Sequence, residues 1–514
     1  MSKTIIIIGA GLAGLSAALQ AAENGCNVKL VSSLPSERAQ SVMAEGGINA
    51  ALNTKDENDS PEEHFTDTIK AACGLADPNA VWGMTQAAPE LVHWLLKLGV
   101  KFNMSGYDDV DLRNFGGQKK KRTAFAQSDT GKQIMTAMID AVRRKEASGM
   151  VERFSHHSFL TLRLCGNICC GCVIRDEYSQ ETVELPGDAV IVATGGMHGL
   201  FGNTTGSLSN TGEVTAELFR LGVPLANGEM IQYHPTTVKC GGKRMLISEA
   251  ARGEGGRLFA MKDGKQWYFM EEKYPELGNL MPRDITAREI WKVSRESEVF
   301  LDMTEISDEI ISNKLSGLAD DCMTYLHKDI RKEPVSVLPG IHYFMGGILV
   351  DEQHRTPIQN LYAAGECCAQ YHGANRLGGN SLLGALYGGR VAAKSACEQA
   401  DVVDLSCATQ IDFPPASQIS EIKQLNKVMQ ETMGVVRNEN TLLNGIQTVQ
   451  ALTGNLPLLG MAVLKSALAR KESRGAHWRE DYPKSNDDDY LKTTVARFDG
   501  KQIQISFVPV PERR

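Results

Sequence analysis

The sequence contains no long apolar run and no excess of positive charge. No stretch reaches the roughly 18 uninterrupted apolar residues that a membrane-spanning helix needs, so we expect no transmembrane segment. Lysine and arginine number 54 against 62 aspartates and glutamates, a net charge of −8. This balance argues against a nucleic-acid surface or a polybasic membrane patch. The amino terminus lacks a secretory signal pattern, and the expected location is therefore cytoplasmic.

The cysteine spacings of metal and haem proteins are also missing. None of the 12 cysteines lies in a Cys-x-x-Cys-His motif or in a ferredoxin-type arrangement, which excludes redox centres of those kinds within the chain. The cysteines between Cys165 and Cys172 lie in a strand-turn-strand pattern, where alternate side chains point to opposite faces. We therefore predict buried strand cysteines and no metal site.

An apolar strand and a glycine turn open the chain. Residues 5–8 are isoleucines, and a small-residue helix and a second strand at 27–31 follow the turn. This βαβ pattern predicts a dinucleotide-binding fold, in which the backbone approaches a pyrophosphate at the helix N-terminus. Ser32 and Ser33 stand where NAD-binding chains place an acidic residue for the ribose, which weakens the interpretation as an NAD-dependent dehydrogenase.

Two later strands that end in glycine, at 188–196 and 361–366, predict that the nucleotide domain is discontinuous. A chain of 514 residues is expected to form about two to four domains. We predict an α/β nucleotide domain over 1–227 and 339–404, an inserted α+β domain over 228–338, a helical domain over 405–482 and a C-terminal segment over 483–514. Residues 416–480 are predicted to be helical, and Gln502 to Val508 to form a strand.

Eight ordered motifs carry a resemblance to a known family. They are Ala44–Gly47, Asn114–Gly117, Gln232–Thr236, Ser248–Gly256, Pro282–Asp284, His342–Gly347, His372–Ser381 and Arg470–His477. The chain resembles the flavoprotein subunits of the fumarate reductase and succinate dehydrogenase family, which includes L-aspartate oxidase. The resemblance implies a Rossmann-like FAD-binding domain, a capping domain that corresponds to the insertion, and a helical C-terminal domain.

The resemblance also implies how FAD is held. The family positions that match are Gly9, Gly11, Ala13, Gly14, Ser32, Ser41, Ala44, Glu45, Gly46, Gly47, Ala193, Thr194, Gly195, Glu366, Asn380, Ser381 and Leu382. Family members that oxidise succinate link the flavin to a histidine in an Arg-Ser-His-Thr sequence, whereas Gln40 stands at that position here. We therefore expect non-covalent FAD, which is better suited to reducing fumarate than to oxidising succinate.

A site for fumarate, a planar dianion, needs cations and hydrogen-bond donors at both carboxylates. At the matching family positions, His234, Ser248, His342 and Arg376 supply them. Taken alone, each histidine could be structural and Arg376 a surface charge. The position of Arg376 in a loop rich in glycine and asparagine favours a carboxylate clamp instead.

Reduction of fumarate also requires a proton donor for the carbon opposite the one that receives hydride. In the family this donor is an arginine, which matches Arg283 here, and the matching proton path runs through Glu249 and Arg252. An alternative interpretation of Arg283 is an ion pair with Asp284 or Glu289 on the helix predicted at 285–293.

The sequence therefore predicts FAD-dependent reduction of fumarate. Alternatives are L-aspartate oxidase, a reductase of a related unsaturated carboxylate, and a non-catalytic flavin carrier. Phe115 argues against aspartate oxidation, because similar aspartate oxidases place there a glutamate that pairs with the substrate ammonium. The resemblance implies an iron-sulfur subunit as electron donor and a membrane anchor, if any, through partner subunits. No nucleic-acid partner is expected.

Overall fold

The protein is described here from a computed structural model. It covers residues 2–106, 109–401, 411, 413 and 419–514. The predicted boundary between residues 404 and 405 lies outside these ranges. Within them, no helix combines the length and the apolar character needed to cross a membrane.

The strands and helices follow one another along the whole described chain. The strands are β1 (Thr4–Ile8), β2 (Asn27–Ser32), β3 (Ile48–Asn49), β4 (Leu112–Arg113), β5 (Thr123–Ala124), β6 (Val151–Ser155), β7 (His157–Cys165), β8 (Ile168–Asp176), β9 (Thr182–Pro186), β10 (Ala189–Val192), β11 (Leu225–Ala226), β12 (Ile231–Cys240), β13 (Lys243–Leu246), β14 (Arg257–Lys262), β15 (Lys265–Trp267), β16 (Val299–Asp302), β17 (Val335–Ser336), β18 (Leu338–Phe344), β19 (Gly347–Leu349), β20 (Leu361–Ala363), β21 (Cys368–Ala369), β22 (Lys492–Phe498) and β23 (Ile503–Pro509). The α-helices are α1 (Leu12–Glu23), α2 (Pro61–Ala71), α3 (Pro78–Lys97), α4 (Thr130–Ala147), α5 (Glu213–Arg220), α6 (Glu249–Gly253), α7 (Phe269–Lys273), α8 (Arg283–Val293), α9 (Asp308–Lys314), α10 (Ser316–Asp321), α11 (Asn380–Gln399), α12 (Ile419–Thr432), α13 (Glu439–Val449), α14 (Asn455–Ala469) and α15 (Asp487–Tyr490).

A five-stranded parallel sheet forms the centre of the molecule. Its order is β20-β10-β1-β2-β6, and each neighbouring pair is parallel. Ile5 and Ile7 of β1 pack on helices α1, α3, α4 and α11, whereas Ile6 and Ile8 pack on the antiparallel sheet β7-β8-β9. Both faces of β1 are covered, which explains the unbroken run of isoleucines at 5–8. The sheet draws strands from residue 4 to residue 363, which confirms the predicted discontinuity.

Glycines allow the first strand, the first helix and β10 to meet at backbone contact. A Cβ at Gly9, whose φ is +111°, would lie 2.2 Å from the carbonyl oxygen of Ala193. A Cβ at Gly14 would lie 1.8 Å from the carbonyl oxygen of Gly9. Both positions therefore require glycine, and the sharp turn brings the N-terminus of α1 to the carboxyl end of the sheet.

The predicted insertion has a hydrophobic core of its own. Its antiparallel sheets have the orders β13-β12-β18 and β15-β14-β16-β17, and helices α6 to α10 accompany them, which is an α+β arrangement. The core runs from Ile247 to Val337 and takes in Phe115 from outside this region. The boundaries at 228 and 338 stay a prediction.

The helical prediction for residues 416–480 is wrong after Ala469, the last residue of α14; residues 416–418 lie outside the described ranges. Beyond α14 the chain is a loop in which Arg470 and Glu472 are completely buried and joined at 2.7 Å. Arg470 also donates to the carbonyl oxygen of Lys492 at 2.7 Å. Side chains two residues apart point to different sides of a helix, so this contact requires the loop.

The C-terminal segment completes a second sheet. Strands β22 and β23 form a hairpin, and β22 pairs with β11 in a sheet of order β21-β19-β11-β22-β23. The strand predicted at 502–508 is confirmed as β23. The end of the chain is therefore fixed to a strand that lies some 270 residues earlier.

His354 is a completely buried side chain. Its Nδ1–H donates to the carbonyl oxygen of Ala363 at 2.6 Å, and the Tyr371 hydroxyl donates to Nε2. Burial lowers the pKa of His354 from 6.5 to about 4, although the hydrogen bond to Ala363 opposes the shift.

We predict that His354→Gln weakens the pH dependence of stability. Between about pH 6.5 and pH 4 the unfolded chain binds a proton at this histidine and the folded chain does not, so stability is lost as the pH falls. Removing the group should lower the slope of the free energy of unfolding by up to about 1.4 kcal/mol per pH unit. Urea titrations at pH 7, 6 and 5 measure it.

The control is His93→Gln, because His93 is exposed on α3. It should retain the wild-type slope, and equal slopes for wild type and His354→Gln would contradict the prediction.

Candidate active site

A large cavity lies at the carboxyl ends of the central strands, where open parallel sheets bind their ligands. Its volume is about 560 Å³. The loops after β1, β2, β10 and β20 form one part of its wall, and residues of the predicted insertion form the other. The cavity therefore joins a nucleotide-type site to a second group of polar side chains.

Most of the residues predicted to hold FAD line this cavity. They are Gly9, Gly11, Ala13, Ser32, Ser41, Ala44, Glu45, Gly46, Gly47, Ala193, Thr194, Gly195, Glu366, Ser381 and Leu382. Gln40, at the family's flavin-linking position, lines it as well.

The local geometry fits a dinucleotide. Helix α1 begins after Gly11 with no side-chain cap, so its N-terminal N–H groups remain for a pyrophosphate. Ser41 accepts one of them, from Leu12, at 3.2 Å. The Ser32 hydroxyl at the end of β2 is buried and has no hydrogen-bond partner among the residues that the structure describes, which suits a ribose hydroxyl.

Gly14 and Asn380 were predicted to bind the cofactor but do not line the cavity. Gly14 is the packing contact to Gly9 described above. The Asn380 side chain is completely buried and accepts from Asn49 Nδ2 at 2.7 Å, and its own Nδ2 donates to Thr68 Oγ1 at 3.0 Å. Its amide is used inside the protein, where it fixes the start of α11.

Glu45 supplies an unpaired carboxyl group to the cavity wall. Its Oε2 is buried and has no hydrogen-bond partner within the described ranges, whereas its backbone carbonyl accepts from Arg113 Nη2 at 3.3 Å. Burial, helped by Asp321, raises the pKa of Glu45 to about 8 against the opposing effect of Arg113. At pH 7 the carboxyl group is therefore mostly protonated and able to donate a hydrogen bond.

A chain of buried charges leads away from the other end of the cavity. Arg283 donates to Glu249 Oε2 through Nη2 at 2.6 Å and through Nε at 2.8 Å. Arg252 donates to Glu249 Oε1 at 3.3 Å and lies behind the wall rather than in it. The structure thus joins the three residues predicted as the proton path.

Electrostatics keeps Glu249 ionised in spite of its burial. Burial alone would raise the pKa of this carboxyl group, but Arg283 and Arg252 together outweigh it and hold the pKa below the ordinary value. Burial lowers the pKa of Arg252, and the charge of Glu249 opposes this shift. The Arg283 to Arg252 chain is a charged hydrogen-bonded network.

The alternative partners of Arg283 are engaged elsewhere. Glu289 accepts from Lys273 at 2.6 Å and from Lys292 at 3.2 Å, and Asp284 accepts from Asn375 Nδ2 at 3.1 Å. The interpretation of Arg283 as an ion pair with Asp284 or Glu289 is therefore wrong, because its guanidinium pairs with Glu249 at 2.6 Å.

Gln232 bridges two arginines and was missed by the sequence analysis. Its Oε1 accepts from Arg283 Nη1 at 3.1 Å and from Arg376 Nη2 at 3.0 Å. Its Nε2 donates to Asn375 Oδ1 at 2.9 Å, which fixes the amide orientation. The signal was its place in the same motif as His234, but an amide in a motif does not by itself indicate a bridge.

Arg376 is a buried cation of the site and has no carboxylate partner in the described part of the chain. Its Nε has no hydrogen-bond partner among these residues, and its guanidinium lies 4.3 Å from the centre of the Tyr343 ring. Burial, and then Arg283, lowers the pKa of Arg376 to about 9. It is positioned to bind an anion.

The two predicted histidines lie side by side in the cavity wall. The rings of His234 and His342 meet edge to face, with centroids 5.1 Å apart. Burial lowers the pKa of each well below 6.5, and Arg283 adds to the effect on both. Both rings are therefore neutral at pH 7.

Ser248 and Phe115 also line the cavity as predicted. Ser248 caps α6 by accepting from the N–H of Ala250 at 3.4 Å, so its hydroxyl hydrogen remains for a ligand. Phe115 is 2% exposed, and its ring packs so closely on Gly46 that a Cβ there would lie 2.8 Å from it. This part of the wall is apolar.

Two family models match the chain. An FAD binding domain matches residues 4–382, and a C-terminal domain described as that of fumarate reductase flavoproteins matches residues 452–513.

Two relatives match the whole length of the chain. The chain is 38% identical to the succinate dehydrogenase flavoprotein subunit of Bacillus subtilis, covering all of this chain and 98% of the relative. It is 32% identical to the 8-methylmenaquinol:fumarate reductase flavoprotein subunit of Wolinella succinogenes, covering all of this chain and 92% of the relative.

Among solved structures, the fold is similar to FrdA of E. coli quinol fumarate reductase, with a TM-score of 0.90, 27% identity and coverage of 99% of this chain and 97% of that one. It is also similar to the Sdh1 complex of Mycobacterium smegmatis, with a TM-score of 0.83 and 28% identity over all of this chain and 95% of that one. The chain therefore belongs to the succinate dehydrogenase and fumarate reductase family of FAD-binding flavoprotein subunits, oxidoreductases with a discontinuous FAD-binding domain, a capping domain and a C-terminal helical domain.

Proposed function

We propose that the protein reduces fumarate to succinate with FAD as its cofactor. The observation that carries this proposal is the charge of the buried cluster at the end of the cavity. Arg252, Arg283 and Arg376 contribute three guanidinium groups. Within the described residues Glu249 is the carboxylate that accepts hydrogen bonds from Arg252 and Arg283, whereas Arg376 donates to Gln232. Two positive charges remain unpaired, which a dicarboxylate neutralises.

Neutral donors complete the proposed substrate site. Ser248, His234 and His342 surround the arginines at the cavity wall and offer hydrogen bonds to carboxylate oxygens. Arg376 can bind one carboxylate through two parallel N–H groups, which fixes its plane. Holding the two carboxylates in different planes weakens conjugation with the double bond and makes the alkene more electrophilic.

When bound, FAD supplies the hydride that reduces one alkene carbon. We assign proton delivery at the other carbon to Arg283. Three of its five N–H groups are bound to Glu249 and Gln232, which leaves two for the substrate. Arginine is a weak acid, but a developing carbanion is more basic still. Glu249 and Arg252 then return a proton to Arg283 along their hydrogen bonds.

We propose that the FAD is held without a covalent bond, because Gln40 cannot form the histidyl linkage of the family. This also favours the direction of fumarate reduction, since the covalent bond raises the flavin potential in the family members that have it. The Bacillus subtilis relative is named a succinate dehydrogenase, so succinate oxidation is the reverse reaction against which this proposal is tested.

L-Aspartate oxidase is the second candidate, since it shares most of the site. Phe115 presents an apolar ring where that activity needs an anion beside the substrate ammonium. An aromatic face attracts a cation by about 0.5 to 2 kcal/mol, less than a buried charge costs to desolvate. A related unsaturated carboxylate is a further possible substrate. A pure flavin carrier would have no use for the arginine cluster.

We propose a separate iron-sulfur subunit as electron donor. The relatives named above are flavoprotein subunits, and this sequence has no ferredoxin-type cysteine spacing. Any attachment to a membrane would then run through partner subunits.

We predict a non-covalent linkage between FAD and the protein. FAD should be released intact when the protein is precipitated with acid, because Gln40 offers no imidazole for attachment. The supernatant should contain all of the flavin by absorbance and migrate as FAD in chromatography. Flavin fluorescence that stays on the polypeptide in a denaturing gel would contradict this prediction.

We also predict which substrate the enzyme uses and in which direction it reacts. In anaerobic assays on one FAD-loaded preparation, fumarate should oxidise reduced viologen readily, and succinate oxidation should be at least about tenfold slower. L-Aspartate should not bleach the flavin, because its ammonium would meet the Phe115 ring. Arg376→Ala serves as a control for site-dependent turnover, since it should raise KM strongly and lower kcat.

Rapid flavin bleaching by L-aspartate, with little viologen oxidation by fumarate, would replace the proposal by the second candidate. Inactivity with all three compounds would direct the search to substituted acrylates.

A substitution at Arg283 separates its role in proton delivery from its positive charge. Arg283→Lys keeps a cation but loses the paired bond to Glu249, so kcat for fumarate should fall by about three orders of magnitude or more while FAD stays bound. Steady-state kinetics and the flavin spectrum measure both effects.

The matched control is Arg288→Lys on the same helix, whose guanidinium stacks 4.0 Å above the Trp478 ring. It should leave kcat unchanged. If Arg283→Lys kept more than about a tenth of the wild-type kcat, a barrier change below about 1.4 kcal/mol, Arg283 would not be the acid.

A further inference from the structure

The His342 ring is anchored through one of its two nitrogens. Thr205 Oγ1 lies 2.8 Å from His342 Nδ1. The Thr205 backbone N–H donates to the carbonyl oxygen of Ile341 at 3.0 Å, which ties the threonine to the same strand, β18. His342 Nε2 forms no hydrogen bond within the described residues, and His342 itself lines the cavity. Among the described residues, Thr205 is therefore the side chain that hydrogen-bonds to the ring.

A neutral imidazole carries a single proton, and the partner of one nitrogen decides which nitrogen holds it. Burial lowers the pKa of His342, and Arg283, Arg376 and His198 lower it further, so that the neutral ring is favoured. The adjacent His234 ring is neutral as well. The ring can thus present to the cavity either an N–H donor or a bare lone pair.

The Thr205 hydroxyl has one hydrogen and two possible acceptors. His342 Nδ1 is the nearer at 2.8 Å, and the carbonyl oxygen of Ile341 lies at 3.3 Å. Donation to Nδ1 places the ring proton on Nε2. A carboxylate in the cavity only accepts hydrogen bonds, so this form of the ring binds it and the other form repels it.

We propose that Thr205 is a positioning residue that holds His342 in the Nε2–H form, so that the ring donates a hydrogen bond to a carboxylate of the substrate. The nature of that substrate rests on the proposed function, whereas the form of the ring does not. The two ideas can therefore be tested separately.

The ring form is measured without substrate. Long-range proton–nitrogen correlation spectra of the FAD-loaded protein with ¹⁵N-labelled histidine distinguish a protonated from an unprotonated ring nitrogen, and His342→Gln identifies the signals of this ring. We expect a protonated Nε2 in the wild type and in Thr205→Ser. Thr205→Val should lose this preference. A protonated Nδ1 in the wild type would overturn the proposal.

The consequence for binding is a KM that depends on the hydroxyl only while the His342 ring is present. For Thr205→Val, which keeps the shape of the side chain, KM for fumarate should rise about tenfold or more. In a His342→Gln background the same substitution should raise KM no further, because no ring is left to hold. Thr205→Ser keeps the hydroxyl and should stay within about twofold of wild type.

An equal rise of KM in the wild-type and His342→Gln backgrounds would mean that the hydroxyl contacts the substrate directly or only fills space, and it would overturn the proposal. The control is Thr204→Val, which removes the neighbouring hydroxyl from His198 Nδ1 at 3.1 Å and should leave the His342 signals unchanged. A wild type that shows the Nε2–H ring but does not turn over fumarate would overturn the proposed function alone.

Discussion

The paired hydrogen bonds between Arg283 and Glu249 are the contact on which the rest of the site depends. Without this carboxylate, three buried guanidinium groups would lie together, and like charges repel more strongly in a buried site than in water. Two glycines make the contact possible. A Cβ at Gly116 would lie 2.6 Å from Glu249 Oε1, and one at Gly378 would lie 2.8 Å from Oε2. The glycine motifs thus serve the charged cluster as much as the cofactor.

The sequence predicts the parts of this molecule that depend on local pattern. The strand and glycine turn from Ile5 to Gly14 require specific residues at fixed spacing, and the family motifs place Arg283, Glu249 and the histidines at the cavity. The bridging role of Gln232 could not be predicted in this way, for a physical reason. Strand β12 has irregular register at Gln232/Tyr233 and again after His234, so the alternation of faces that would pair Gln232 with His234 does not hold.

Buried polar residues account for the other misplaced predictions. Asn380 stands where a loop turns into a helix and could equally face a ligand or the interior; only the positions of Asn49 and Thr68 decide that its amide is used inside. The loop after Ala469 has a composition compatible with a helix, but Arg470 must reach Lys492, which is remote in sequence. In both cases the deciding partner is remote along the chain, where periodicity carries no information.

The discontinuous central sheet also dictates when the protein can fold during its synthesis. Strand β1 ends at Ile8, but β20, at the edge of the same sheet, begins only at Leu361. At about 5 to 20 residues per second, ribosomes need roughly 20 to 70 s to make the residues between them. During that time the isoleucine-rich strand β1 belongs to a sheet that still lacks one of its strands. The emerging chain therefore exposes an incompletely paired apolar strand, which favours aggregation, until β20 has been made.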